Sequence, residues 1–199
     1  MVFEKPAPAD HPILDLLARR WSTRAFSDRS VDGQTLARLF EAARWAPSSG
    51  NGQPWSFLVA TKAHPAEHER MASVLAPGNA WARKAPVLAL SVATLDRSAD
   101  KPNRHAYHDV GLATENLVLQ AHSMGLGVHM MAGFNVEMAR EVFEIPARHD
   151  PVTMIAIGYP GHPDSLAEEL RAKDLAPRQR RPIGEFVFSW KFGQPAGLE

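Results

Sequence analysis

The chain has 199 residues, 45% of them hydrophobic, and its 22 Lys and Arg are balanced by 22 Asp and Glu. This length fits one domain with a full core, and the charge balance argues against a surface that binds nucleic acid or anionic membranes along its whole extent. With no cysteine, disulfides, thiol catalysis and Cys-ligated metals are excluded. The amino terminus is polar and proline-rich, unlike a signal peptide, and no apolar run approaches the roughly 20 residues of a membrane helix, so we expect a cytoplasmic protein.

The amino-terminal half predicts helices followed by a strand. Asp10 is a candidate N-cap for a short helix with Pro12 in its first turn, which runs into Arg19 and Arg20. Asp32 is a candidate N-cap for a second helix that Pro47 ends. The predicted elements that follow are a polar loop at 47–54, a strand at 55–61 and a helix at 65–75.

The second half alternates between strands and helices. The predicted elements are a buried strand at 86–94, a polar loop at 96–104, a long helix at 107–124, a strand at 128–134, an amphipathic helix at 135–145 and a strand with a turn at 152–161. A charged segment, an arginine-rich patch at 178–181 and an aromatic tail at 185–193 complete the chain. Without repeats or a linker, this order predicts one α+β or α/β domain with a C-terminal extension.

The aromatic tail predicts a strand with one apolar face. Phe186, Phe188 and Trp190 alternate with other residues, which is the period of a strand. A terminal segment this apolar is expected to dock either on its own core or on a second subunit.

The segment RRWSTRAF, residues 19–26, concentrates anion-binding side chains. Arg20, Ser22 and Arg24 alternate, so in extended chain they point to one side. Guanidinium groups and a hydroxyl suit a phosphate. A second basic cluster at 178–181 is consistent with one shared anion, although each cluster alone is also typical of ordinary surface charge.

Four other groups of residues have two interpretations each. The loop at 47–54 presents amides suited to the edge of a heteroaromatic ring, or it is a polar turn. His105 and Asp109 have the spacing of two zinc ligands on a helix, but no third ligand is apparent and a capping or surface role is the stronger interpretation. His129 belongs to a substrate pocket or is a packed strand residue, and Trp45 and Trp81 line a substrate pocket or belong to the core or an interface.

Together, RRWSTRAF, EAARWAPSSGNGQPWSFLVAT and DVGLATENLVLQAHSMGLGVHMMAGF resemble the FMN-dependent nitroreductase family, and GYPG and PRQRRPIGEFV fit its C-terminal end. The resemblance covers residues 11–188 and leaves 1–10 as a lead-in and 189–199 as a tail. It implies an α+β, three-layer fold with a central, mainly antiparallel sheet flanked by helices. It also implies a homodimer with FMN at the subunit interface and a C-terminal extension that crosses to the partner.

The resemblance also implies which residues bind FMN. They are Arg20, Trp21, Ser22, Arg24, Pro47, Ser48, Ser49, Asn51, Gln53, Met131, Ala132, Gly133, Arg178 and Arg180. Residues 20–22 and the C-terminal arginine pair would hold the phosphate, with Arg181 as a competing register for the pair. Arg24 would face the pyrimidine edge of the flavin, the loop at 47–53 would reach it from the other subunit, and a backbone amide within 131–133 would approach N5.

The expected activity is that of an FMN-dependent NAD(P)H oxidoreductase of the nitroreductase type. NADH or NADPH would reduce the flavin, and a nitroaromatic or quinone-like acceptor would reoxidise it in a ping-pong cycle, with the chemistry carried by the cofactor rather than by a catalytic side chain or a metal. The alternatives are a non-redox dimer that binds a flavin or nucleotide, and a divergent flavin dehydrogenase of the same family.

Overall fold

The computed structural model describes residues 3–98 and 101–198 and is built around a four-stranded sheet. The strands are β1 (Trp55–Thr61), β2 (Val87–Thr94), β5 (Gly127–Met131) and β6 (His149–Gly158), in the spatial order β1-β2-β6-β5. Each is antiparallel to its neighbours, which confirms the α+β class and the antiparallel sheet. A small hairpin of β3 (Asp96–Ser98) and β4 (Lys101–Pro102) occupies the segment predicted to be a polar loop.

Six α-helices surround the sheet in the described residues. They are α1 (Asp15–Arg19), α2 (Gly33–Arg44), α3 (Pro65–Ala72), α4 (Ala106–Ser123), α5 (Val136–Val142) and α6 (Glu168–Leu175). In the region of α6 the sequence predicted only a charged segment, not a helix. None of the helices in the described ranges combines the length and apolar character needed to cross a membrane.

The central strand β2 shows why the fold has three layers. Its residues from Val87 to Ala93 are buried, and successive residues from Val87 to Leu90 belong to different clusters because successive side chains of a strand point to opposite faces. Leu88 and Leu90 pack in the cluster that contains residues of α3, whereas Val87 and Ala89 pack with residues of α2 and α4. Full burial of each such leucine contributes about 1.5–3 kcal/mol, so the sheet is stabilised from both faces.

The two predicted helix caps have different outcomes. Asp32 caps α2 and its carboxylate accepts a hydrogen bond from the Thr35 amide at 2.7 Å, as predicted. The prediction for Asp10 is wrong, because α1 begins at Asp15 with Leu14 as its N-cap. Pro12 restricts the residue before it to extended backbone, which keeps the preceding segment out of the helix.

The tail does not form the predicted aromatic strand. Residues 186–193 contain no regular strand, and Phe188 makes a single isolated bridge to Pro195. Gly193 turns the chain back at a φ of 88°, and the Phe188 ring contacts Phe192 at 4.9 Å. The chain therefore folds on itself where a strand would need a neighbour to supply its hydrogen bonds. Crossing of the tail to a partner subunit stays a prediction, as do the boundaries at residues 11 and 188.

Candidate functional site

The two arginine clusters meet in a cavity of about 170 Å³, which we call the basic hollow. It lies where the chain that follows α1 approaches the chain around the end of α6. Its lining residues are Lys5, Arg20, Trp21, Ser22, Arg24, Lys173, Asp174, Arg178 and Arg180. The structure thus brings together six of the residues that the sequence predicted to bind FMN, and Arg180 rather than Arg181 lines the hollow.

The chain from Arg20 to Phe26 is held in extended form beside the end of β6. Gly161 donates its amide to the Ala25 carbonyl at 2.9 Å, and Ser27 donates to the Tyr159 carbonyl at 2.9 Å. A Cβ at Gly161 would lie only 2.9 Å from the carbonyl carbon of Phe26, so this approach needs a glycine.

The chain places Arg20, Ser22 and Arg24 on one side, as the sequence pattern predicts, although Trp21 also lines the hollow. Thr23 and Ala25 are each 1% exposed, whereas Arg20, Ser22 and Arg24 are only partly buried and line the hollow.

The phosphate-binding candidates form an uncompensated positive cluster. The Arg20 guanidinium has no hydrogen-bond or ion-pair partner within residues 3–98 and 101–198, whereas neighbouring Arg19 pairs with Glu4 and Asp15. Among the residues that the structure describes, Arg178 has only carbonyl acceptors, since it donates to Lys5 at 2.9 Å and to Ala18 at 2.6 Å. Burial, together with the charges of Arg20 and Arg180, lowers the pKa of Arg178. The cluster is therefore suited to an anion.

Arg24, in contrast, has a buried counter-charge. Its guanidinium Nη1 and its backbone amide each donate to one oxygen of the Asp174 carboxylate, both at 3.1 Å. The Asp174 side chain is fully buried, and the Arg24 side chain is 25% exposed. Lys5 Nζ donates to the Asp174 carbonyl at 2.6 Å. Sequence reasoning missed Asp174, and its position in a charged stretch gives no periodic signal that would have identified it.

Trp81 packs between Arg24, which lines the hollow, and His129 of the sheet. Its ring stacks on Phe26 at 6.4 Å, meets His129 edge-on at 4.7 Å and lies 5.8 Å from the Arg24 guanidinium carbon. Burial, and next the charge of Arg24, lowers the pKa of His129 to about 4. His129 is thus neutral at pH 7, and its Nδ1 lies 3.0 Å from the Thr23 carbonyl, as expected of a packed strand residue.

Trp45 lies at the surface. It is 73% exposed, and its indole nitrogen donates to Glu41 at 2.9 Å. It is therefore not part of the core of this chain.

The turn after β5 holds the residues predicted to approach flavin N5. Met131 is buried and Ala132 is exposed. The Gly133 carbonyl accepts from Asn79 Nδ2 at 2.9 Å and from the Ala76 amide at 3.1 Å, and a Cβ on Gly133 would lie 2.6 Å from Asn79 Nδ2. Asn79 belongs to the same 3₁₀ segment as Trp81, Pro77–Lys84, which therefore connects this turn to Arg24.

The loop at 47–53 is well anchored but lies elsewhere. The Ser49 amide donates to buried Asp109 at 3.0 Å, and Arg97 donates to the Ser49 hydroxyl. Asn51 and Gln53 have positive φ values of 54° and 45°, an unusual concentration of left-handed backbone. Pro47, Ser48, Ser49, Asn51 and Gln53 do not line the basic hollow.

The loop and the hollow are separate. Asp109, which anchors the loop, is in the first turn of α4, and neither it nor any residue of the loop lines the hollow. Contact of the loop with a flavin held by another subunit stays a prediction.

The zinc alternative has no geometric support in the described residues. Asp109 instead accepts from Ser49 and lies beside His108. Within the described ranges, no group of three or more His, Asp or Glu is placed to hold a metal ion.

Comparisons with known proteins agree on one family. A model of the Nitroreductase family matches residues 17–159. A Methanothermobacter thermautotrophicus protein, provisionally named NADH dehydrogenase/NAD(P)H nitroreductase, is 30% identical over 154 residues, which cover 74% of this chain and 77% of that protein.

Solved structures share the architecture. A crystal structure described as an oxidoreductase containing FMN has a TM-score of 0.91 at 29% identity, and the match covers 98% of this chain and 100% of the other. A provisionally named nitroreductase from Desulfovibrio desulfuricans, solved in complex with FMN, has a TM-score of 0.70 at 26% identity, with 92% and 99% coverage. The described α+β architecture is therefore that of these proteins.

Proposed function

Because the chain belongs to the nitroreductase family, we propose that it is an FMN-dependent oxidoreductase that takes hydride from NADH or NADPH and passes it to a small acceptor. The observation that carries the proposal is the basic hollow, in which Arg20 is unpaired within the described residues and Arg178 is held only by carbonyl oxygens. A phosphate monoester supplies the missing negative charge.

The donor set of the hollow fits the phosphate of FMN. Arg20, Arg178 and Arg180 offer planar guanidinium donors, and Ser22 adds a short hydroxyl donor. A Gly-rich phosphate loop is not needed, because four side chains from two segments provide charge and direction. A relative of this chain is described as containing FMN, and another was solved with FMN bound, which supports the choice of cofactor.

The other predicted residues would act on the flavin ring. Arg24 would place positive charge at the pyrimidine edge, where reduced flavin carries its negative charge, and the amides after Met131 would approach N5. When bound, FMN supplies the two-electron redox chemistry. The chain would bind and orient the ring, and Trp81 supports Arg24 from the side of the sheet.

We propose a ping-pong cycle with a nitroaromatic or quinone-like acceptor. The name of the Methanothermobacter relative supports NAD(P)H as the reductant and a nitro compound as the acceptor. No side chain is assigned as an acid or base, because His129 is neutral and directed at the Thr23 carbonyl, and Asp174 is paired with Arg24.

The active form in this proposal is a homodimer with FMN at the interface. The separation of the loop at 47–53 from the basic hollow supports this, since the loop is then free to serve the site of the partner. The exposed rings of Phe186, Trp190 and Phe192 provide apolar surface for a contact between subunits.

One experiment tests the function. The purified protein is loaded with FMN, titrated with NADH or NADPH without air, and then mixed with a nitroaromatic or a quinone. We expect flavin absorbance to bleach with one nicotinamide and to recover with the acceptor. Bound flavin that neither nicotinamide reduces would indicate a non-redox binding protein, and absence of FMN binding would overturn the proposal entirely.

A further inference from the structure

We propose that Asp174 is a positioning residue of the flavin site, which fixes Arg24 and offsets part of its charge, and thereby sets how strongly the site favours reduced over oxidised FMN. This inference rests on the proposed function. It concerns a residue outside the sequence motifs that carry the family resemblance, on a helix that the sequence pattern did not predict.

The geometry of the contact fixes both the backbone and the side chain of Arg24. One Asp174 oxygen accepts from the Arg24 amide and the other from Nη1, each at 3.1 Å. The guanidinium is further confined by the Trp81 ring at 5.8 Å. The Asp174 oxygen and the Trp81 ring thus constrain a guanidinium that also lines the hollow.

The burial of Asp174 makes its charge effective. Its side chain is fully buried, so water screens it little, and its distance to the guanidinium is that of a direct ion pair. Lys5 contacts the Asp174 carbonyl rather than its carboxylate, which leaves Arg24 as the cation paired with that carboxylate in the described residues. The positive field that Arg24 exerts on its exposed side is therefore reduced by Asp174.

A purely structural role would not require this charge. Burial of a carboxylate is costly, and a neutral side chain could accept the Arg24 amide hydrogen bond. Other contacts also tie this region together, since Arg178 donates to Ala18 and Lys5 donates to the α6 backbone. We therefore assign the role of this carboxylate to its effect on Arg24.

The test is the midpoint potential of bound FMN in the Asp174→Asn variant. The substitution preserves the shape and one acceptor but removes the negative charge, so the more positive site should favour anionic reduced flavin. We expect the ratio of reduced to oxidised FMN affinity to rise about tenfold, which is about 30 mV towards positive potential for a two-electron couple. The affinity of oxidised FMN is measured separately by fluorescence quenching.

Glu168→Gln is the matched control, because it removes one negative charge from the exposed first turn of the same helix. It should leave the potential unchanged. A wild-type potential in Asp174→Asn, or an equal shift in Glu168→Gln, would overturn the inference.

A double-mutant cycle separates action through Arg24 from a general structural effect. The field of the carboxylate adds to that of Arg24, so the shift due to its charge persists in an Arg24→Gln background, whereas the part due to fixing Arg24 is lost. We expect Asp174→Asn to shift the potential by different amounts in the wild-type and Arg24→Gln backgrounds, and equal shifts would refute the positioning of Arg24 by Asp174. If Asp174→Asn alone does not fold, Arg24→Gln/Asp174→Asn should still have a more positive potential than Arg24→Gln, and equal potentials would refute the inference.

The two proposals fail differently. A wild-type protein that binds FMN and is reduced by a nicotinamide, with no shift in Asp174→Asn, refutes only the role of Asp174. A wild-type protein that does not bind FMN overturns the proposed function and this inference together.

Discussion

Arg20→Ala should separate cofactor binding from folding. In the described residues Arg20 has no partner of its own and faces Arg178, so its removal breaks no hydrogen bond and relieves repulsion between like charges. The free energy of unfolding without FMN should therefore stay the same or rise slightly. Affinity for FMN should fall, because a charge-assisted contact with the phosphate is lost.

The size of the loss follows from that contact. A hydrogen bond to a charged group contributes about 1.5–3 kcal/mol, which corresponds to a dissociation constant raised about 10- to 150-fold. The loss should be confined to ligands with a phosphate. Riboflavin, which has the same ring and no phosphate, should bind Arg20→Ala and wild type equally well.

Fluorescence titration of the flavin-free protein measures both ligands. Arg19→Ala is the matched control, because the adjacent arginine is engaged by Glu4 and Asp15 at the surface and does not line the basic hollow. It should bind FMN as wild type does. If Arg20→Ala lost as much affinity for riboflavin as for FMN, or if Arg19→Ala lost as much FMN affinity, the assignment of the hollow to the phosphate would be refuted.

Three further outcomes are expected. His129 has a pKa of about 4 in the folded state against the usual 6.5, so below pH 6.5 the unfolded state binds more protons. Stability therefore decreases as the pH is lowered. Urea unfolding should show a loss of about 2 kcal/mol between pH 7 and 5 from this residue, absent in His129→Gln, and an equal pH dependence in both proteins would contradict it. Asp109→Ala should cost about 1–3 kcal/mol, because it leaves the Ser49 amide without its acceptor, and unchanged urea unfolding would argue against this anchor. Deletion of residues 184–199 should abolish dimerisation in light scattering, and a truncated dimer with normal FMN content would remove the proposed role of the tail.

Local chemistry made much of the fold predictable. Asp32 caps α2 through its own carboxylate, and the strand predicted at 55–61 is β1 because both depend on residues close in sequence. For an extended chain, the alternation of Arg20, Ser22 and Arg24 likewise predicted that they share one side, and Thr23 and Ala25 between them are buried.

Long-range partners were not predictable from patterns. Asp174 contacts Arg24, which is 150 positions away in the sequence. A single acidic residue in a charged stretch carries no pattern that would predict a buried ion pair. The aromatic alternation of the tail failed for a related reason, since periodicity predicts a strand only where another strand pairs with it. The family resemblance implied that Arg20 and Arg178 lie together. The sequence pattern alone was equally compatible with two separate groups of surface charge.

The charges of the two segments that meet at the basic hollow, residues 5–24 and 173–180, determine what the site can bind. Arg178 is fixed by the carbonyls of Lys5 and Ala18, which satisfy its donors without cancelling its charge. Among the described residues, Asp174 is the one acidic residue that lines the hollow, and it pairs with Arg24 rather than with Arg20. The surroundings of Arg20 and Arg178 are thus left strongly positive, while the charge of Arg24 is partly neutralised. Acidic partners for Arg20 and Arg178 would stabilise the flavin-free fold but would repel an anion. Under the proposed function the phosphate of FMN supplies the negative charge instead, and FMN at 100 times its dissociation constant should stabilise the protein by about 2.7 kcal/mol.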